Sequence, residues 1–402
     1  MGCCSFNDEP VKENISLSRD EQIELLAKEA GVKPRPSEVK DEIDERGAFI
    51  RQPNAFTTPF GDKEDQLKAD ANRFGIFWMH GCHWSNRPVI ARDILGLEDV
   101  IGEVHTTSGG KYGHSFPDYE GQKDPLGGAY FLSQYYFNAD PDFKGRATTP
   151  TLVDYKEKKA VNNDYHRLSN YIEVQFRKYQ PVDAPDLYPV KYRKEIDEFN
   201  DWLFPHINNS HYRMAFCQSW EAYNEAYEDF FDSLEKLDKR LAENRFLFGD
   251  FITDADIRLY VTLVRWETWY YKNVGPMKKR VTEYENVWGY VKDLFSLPVF
   301  KKYTFFEFPE KTGEGIFETY DKRIASQVPY EQLWESDGSR KKLSNTPDEV
   351  FKKHPDGETV EDYQTEISQS KWNSPKWEDR NPANGVLSVD ASINPIESKL
   401  RD

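Results

Sequence analysis

Cys82 ends the short apolar run Phe74-Gly75-Ile76-Phe77-Trp78-Met79 and opens a stretch, Trp84 to Leu95, whose Val89, Ile90, Ile94 and Leu95 fall toward one side before Gly96 stops it. A near-continuous apolar run of this length reads as a buried strand, and the stretch after it as a helix. A thiol where a strand turns into a helix faces unsatisfied backbone amides and the positive end of the helix dipole, a setting that favours its reactive thiolate form. Arg87 and His83 add the prospect of nearby positive charge. The plainer alternative is an inert core cysteine, a common fate for this residue type. His80, Cys82 and His83 are too few for zinc, which wants about four ligands, and no second cysteine or histidine pair stands at a finger-like spacing, so no metal is expected. Thr149-Pro150 precedes another strand-like run. A cis proline there would leave backbone groups free to pair with an extended peptide, and an ordinary trans proline opening an edge strand is the alternative.

These residues need elements to hold them. After the helix, Val100 to Thr106 reads as a second strand, followed by a glycine-rich insertion and an aromatic helix around Ala129 to Phe137. Thr148 to Asp154 and Lys159 to Val161 read as a strand pair joined by a charged turn. The order β-α-β-α-β-β-α is that of a thioredoxin-like domain. Pro181-Val182-Asp183-Ala184-Pro185 marks a change of composition, and beyond it Tyr192–Asn208, Ser219–Asn244 and Thr253–Tyr271 carry helical periodicity. Thr253 with Asp256 has the spacing of a capping box. Pro88, inside the first helix, should kink it. The chain thus divides into an N-terminal arm (1–60, partly disordered), an α/β thioredoxin-like domain (61–180), an all-α domain (181–310) and a charged tail (311–402).

The 402 residues carry 53 Lys and Arg against 70 Asp and Glu, a formal charge of −17, which disfavours nucleic acid and favours small-molecule or protein partners. The four scattered cysteines, Cys3, Cys4, Cys82 and Cys217, fit a reducing, cytoplasmic setting. No run of about 18 apolar residues could span a bilayer. Gly2, Cys3 and Cys4 could be acylated and tether the chain to a membrane, although Phe6 stands where the myristoylation motif wants Ser or Thr.

From about residue 73 to 295 the sequence resembles the glutathionyl-hydroquinone reductases, the xi-type glutathione transferases. Gly81-Cys82-His83-Trp84-Ser85-Asn86-Arg87 is similar to that family's Cys-Pro-Trp-Ala-x-Arg site, Asp140 to Arg146 with Thr149-Pro150-Thr151-Leu152 to its cis-proline segment, and Val161-Asn162-Asn163-Asp164 to its glutamyl-binding site. Asn208-Asn209-Ser210-His211-Tyr212-Arg213, Thr262 to Tyr270 and Tyr284 to Tyr290 resemble further signatures. The resemblance implies a thioredoxin-like domain followed by a helical glutathione-transferase domain, glutathione and a small aromatic as substrates, and assembly as a homodimer. It also implies that Cys82 attacks the sulfur of an aromatic glutathione adduct, with Tyr212 and Tyr270 holding or protonating the departing ring. Trp84, Arg87, Thr149, Pro150, Asp164 and Tyr165 would bind glutathione. His83 replaces the family's proline, and Asp164-Tyr165 replaces Glu-Ser. Two other readings stay open: a fold relative serving as a binding or scaffold protein without turnover, and a cysteine-dependent dehalogenase or isomerase.

Overall fold

The computed structural model describes residues 17–108, 110–306, 333–335, 340–376 and 380–382. Gly2, Cys3 and Cys4 lie outside them.

A four-stranded mixed sheet has the order β2-β1-β5-β6, built from β1 (Phe74–Trp78), β2 (Gly102–His105), β5 (Thr151–Asp154) and β6 (Lys159–Asn162). β1 runs parallel to β2 and antiparallel to β5, and β5 to β6 is antiparallel. Every residue of β1 is buried because both sheet faces are covered. Alternation assigns the faces: Phe74, Ile76 and Trp78 join the large core with α2 (His83–Ile94) and α4 (Leu168–Gln175). Phe77 points the other way, onto Leu132, Tyr135 and Tyr136 of α3 (Leu132–Ala139). The β-α-β-α-β-β-α order read from the sequence is therefore present, with a small extra hairpin, β3 (Thr107–Ser108) and β4 (His114–Ser115), inside the glycine-rich insertion. α2 is one unbroken helix from His83 to Ile94 with Pro88 inside it.

The second half is helical: α5 (Arg193–Leu203), α6 (Ser210–Phe216), α7 (Trp220–Glu243), α8 (Asp254–Thr268), α9 (Glu285–Phe295) and α10 (Pro298–Lys302). α7 buries Ala226, Phe230, Leu234, Leu237 and Leu241, one stripe at three- and four-residue spacing. α8 is buried along nearly its whole length and packs directly on α2, so the two halves share one core. The Thr253–Asp256 pairing is present: the Thr253 amide donates to the Asp256 carboxylate at 2.8 Å. The single helix read over Tyr192–Asn208 instead breaks into α5 and a π-turn, Phe204–Asn208, closed by the Asn209 amide on the Phe204 carbonyl at 2.7 Å. Such wide turns displace the following residues around the axis and are frequent at functional sites.

Sparse apolar residues after about 311 suggested a loose tail. Residues 340–376 are irregular, as that composition dictates, yet packed: Tyr363, in the short helix α11 (Val360–Tyr363), and Ile367 are buried in the main core, as is Trp334 before them. The N-terminal segment contributes α1 (Arg19–Ala30), capped by Ser18. It continues over the surface to Phe49 and Ile50, both buried.

Candidate active site

Cys82 is the N-cap of α2, held by its amide donating to the Met79 carbonyl at 3.0 Å, while its own carbonyl receives the amides of Ser85 and Asn86. Ser85 locks the turn from the side, its hydroxyl accepting the Met79 amide at 3.0 Å. The Cys82 thiol, 8% exposed, donates to the Thr149 carbonyl at 3.4 Å, and the Thr149–Pro150 bond is cis.

Around the sulfur stand Trp84, Phe204 and Trp372, with Met79, Tyr165 and Tyr212 at the rim. Arg87 lies over the Trp84 ring at 4.7 Å and donates to the Tyr165 carbonyl at 3.4 Å, while its Nε and Nη2 are buried without a hydrogen-bond partner. Burial lowers its pKa, and Arg258 adds to the effect. Tyr212 and Tyr270 bring their hydroxyls within 3.3 Å of each other. Burial raises the pKa of both phenols, and a negative charge on Cys82 raises them further. Both are therefore protonated donors at neutral pH. The Tyr270 ring is fixed by stacking on His211 at 3.8 Å.

His83 does not supply the positive charge expected of it. The ring is fully buried, its Nδ1 lies 2.8 Å from the Thr262 hydroxyl on α8, and burial together with Arg87 and Arg51 holds its pKa well below the usual histidine value. His83 is a neutral strut between the two halves. The charge comes from Arg51, a residue sequence reasoning passed over. Its guanidinium lies 4.4 Å from the Tyr212 ring, 5.0 Å from Trp84 and 5.6 Å from Tyr165. Nε donates to Asn209 at 3.3 Å, and the buried Nη2 has no partner. Little in the sequence points to it, since Arg51 is one of many charged residues in an arm that also carries Lys33, Arg35, Lys40 and Arg46.

The Asp164 carboxylate is fully buried and crowded. Oδ1 accepts from Asn54 at 3.2 Å and from the His166 amide at 3.0 Å, and Oδ2 accepts from Asn373 at 2.8 Å. Burial raises its pKa. The Tyr165 ring turns away from this carboxylate onto Trp84 at 5.1 Å and Phe204 at 6.1 Å. All nine residues singled out from the sequence thus gather in one region, joined by Arg51, Asn54, Trp372 and Asn373.

Residues 221–293 match the glutathione S-transferase C-terminal domain family. The chain is 34% identical over 235 residues to the glutathionyl-hydroquinone reductase YqjG of Escherichia coli, covering 57% of this chain and 71% of that protein. The chain belongs to the glutathionyl-hydroquinone reductase, or xi, family of glutathione transferases. A second member, PcpF of Sphingobium chlorophenolicum, is 32% identical across 60% of this chain and 76% of its own length. Among solved structures, the xi glutathione transferase of Phanerochaete chrysosporium superimposes with a TM-score of 0.62 at 30% identity, covering 67% of this chain and 90% of its own. The glutathione-bound structure of YqjG gives 0.57 at 32% identity, covering 65% and 87%. The family assignment carries the fold with it, a thioredoxin-like half followed by a helical half. The family is one of enzymes.

Proposed function

We propose that this protein is a glutathione-dependent reductase in which Cys82 removes glutathione from an aromatic adduct of the glutathionyl-hydroquinone kind. The observation that supports it most is the pair of protonated phenols, Tyr212 and Tyr270, whose hydroxyls meet where Tyr212 packs on the Cys82 cluster at the mouth of α2. The glutathione-bound relative and the hydroquinone reductases among its kin supply the co-substrate and the substrate class. The buried, partnerless donors Arg51 Nη2 and Arg87 Nε and Nη2 suit an anionic ligand, and a tripeptide with two carboxylates is one.

In the first step the Cys82 thiolate attacks the substrate sulfur: a disulfide forms with glutathione, the bond from sulfur to the aryl carbon breaks, and that carbon takes a proton from the tyrosine pair. A second glutathione thiolate then attacks the mixed disulfide, freeing Cys82 and leaving glutathione disulfide. Cysteine and glutathione are oxidised as the aromatic is reduced. Arg51, beside Tyr212, steadies the phenolate this leaves behind. Trp84, Arg87, Thr149, Pro150, Asp164 and Tyr165 form the glutathione side, within a domain running over 61–180, and the aromatic enters from the side of 181–310. The chain acts in the cytoplasm as a homodimer on this reading.

The enclosure of Asp164 and of the sulfur favours a second reading, a binding protein that has lost turnover. One experiment separates them. Incubation with glutathione disulfide followed by peptide mass spectrometry should add about 305 Da to the wild-type peptide that contains Cys82, and the Cys82→Ala peptide should stay unmodified, by the mixed-disulfide chemistry of thiol exchange. An unmodified wild-type thiol would end the enzyme reading.

A further inference from the structure

The segment that packs against the Cys82 cluster is a distant part of the same chain. It is anchored first: Tyr363 sits in the core with its hydroxyl on Asp186 at 3.0 Å, and Arg193 holds the Tyr363 carbonyl at 2.9 Å. Ile367 is buried next to it. From there the chain crosses to the active site on polar contacts. Arg167 donates to the Ser368 carbonyl at 2.9 Å, Gln369 to the Tyr171 hydroxyl at 2.8 Å, and the Ser370 hydroxyl to Asp201 at 3.0 Å.

The end of the crossing is where it matters. The Trp372 indole N–H donates to the Asp201 carbonyl at 3.0 Å and its ring packs 5.2 Å from Phe204, inside the cluster that contains Cys82. The Asn373 amide donates to Asp164 at 2.8 Å, and its oxygen accepts from Asn54 at 2.7 Å. On the proposed function Asp164 lies on the glutathione side, and the group of glutathione that a buried carboxylate would take is the ammonium of its glutamyl end. A carboxamide N–H now stands where that donor would stand.

Resting on that reading, we infer that residues 368–373 are a tethered self-ligand of the glutamyl subsite, which glutathione displaces in order to reach Cys82. The exchange is balanced in kind. An uncharged amide leaves a carboxylate and an ammonium replaces it, which adds the attraction of an ion pair to a hydrogen bond that already ends on a charged group. Trp372 is the one large apolar side chain in the crossing, so most of the hold is polar and can be replaced bond for bond. The anchors at Tyr363 and Ile367 stay in place while the crossing lifts. Affinity for glutathione is then reduced by the fraction of molecules in which the segment is closed.

The test uses the full chain with Asn373→Asp, which sets a second carboxylate against Asp164, and Trp372→Ala, which removes the apolar contact. Two readouts are taken: the rate at which iodoacetamide alkylates Cys82, followed by peptide mass spectrometry, and the glutathione dissociation constant by calorimetry. Losing one hydrogen bond to a charged group should open the segment by about tenfold or more. Alkylation should rise by that factor in Asn373→Asp and rise as well in Trp372→Ala, and glutathione should bind both variants more tightly than the wild type. Unchanged alkylation in both, or weaker glutathione binding in both, overturns the inference, the latter because the segment would then be part of the binding surface. Faster alkylation with no glutathione binding in any form, wild type included, upholds the closing segment as a cover over Cys82 but removes glutathione as its competitor, and so overturns both the competition and the proposed function. Thermal unfolding checks that each variant folds.

Discussion

The His83 imidazole and the Thr262 hydroxyl, 2.8 Å apart and 179 residues apart in sequence, join the first turn of α2 to the middle of α8 beneath the reactive thiol. The Asn208 amide donates to the same Thr262 oxygen at 2.8 Å, tying the π-turn to this point. A proline at 83, as in the family's motif, fits the first turn of a helix but brings no ring nitrogen. His83→Pro should therefore keep the fold and lower its stability by about 0.5 to 1.5 kcal/mol, the range for one lost hydrogen bond, because Thr262 keeps its contacts with Asn208 and the Arg258 carbonyl. Chemical denaturation of the two forms measures this, and an unchanged midpoint would show the contact to be idle.

The tyrosine pair should act at the departing ring. Tyr212→Phe removes one hydroxyl while keeping the ring under Arg51, and Tyr270→Phe does so while keeping the stack on His211. Loss of a proton donor costs about a hundredfold or more in rate. kcat for a glutathionyl-hydroquinone should fall in that range while mixed-disulfide formation at Cys82 with glutathione disulfide persists, because that step has no aromatic leaving group.

Arg51 tests the charge balance. Arg51→Gln keeps a hydrogen-bonding side chain beside Asn209 but removes the cation over Tyr212. A preorganised charge facing a developing anion is typically worth about a hundredfold in kcat. Steady-state rates on the same substrate measure it, and Arg51→Lys should recover only part, since an ammonium cannot both stack on the rings and reach Asn209.

How much of this was open to inspection in the bare sequence depends on distance along the chain. The strand, thiol and helix around Cys82 are contiguous, and the apolar run 74–79 announces them. The helical stripe of α7 was equally legible, because periodicity is local. The π-turn at Phe204–Asn208 was hidden, since its pattern differs from a continuous helix by a single residue of register. His83 was misjudged because a neighbour 179 residues away decides whether it is charged. Arg51, Asn54, Trp372 and Asn373 lie in segments with no periodic signal, and only tertiary contact reveals that they face the thiol.

Acid should loosen the fold through buried imidazoles. Burial pushes His80 and His114 to about 4 and His211 to about 3, from 6.5 in the open chain. The unfolded state then binds more protons, so their contribution is complete above about pH 6.5 and shrinks as the pH falls toward 4. Asp186 and Asp256, raised by burial to about 6, work in the opposite sense, gaining stability as the pH drops from 6 toward 4. His211→Phe isolates one imidazole while keeping the stack on Tyr270. Relative to wild type, the variant should gain stability steadily between pH 6.5 and 4, as read by melting temperature across that range. A constant offset would contradict the assignment.

Arg340 lies far from the thiol, yet it bears on any attempt to shorten the protein. Its guanidinium is sunk among the carbonyl oxygens of Leu241, Asn244, Arg245 and Asn286. Burial pulls its pKa down to about 10, so it still carries its charge there at neutral pH. An expression fragment trimmed to the family match would uncork the C-terminal end of α7 and bare the face of α9 at Gly289 on which Arg340 lies, inviting precipitation rather than a smaller working enzyme.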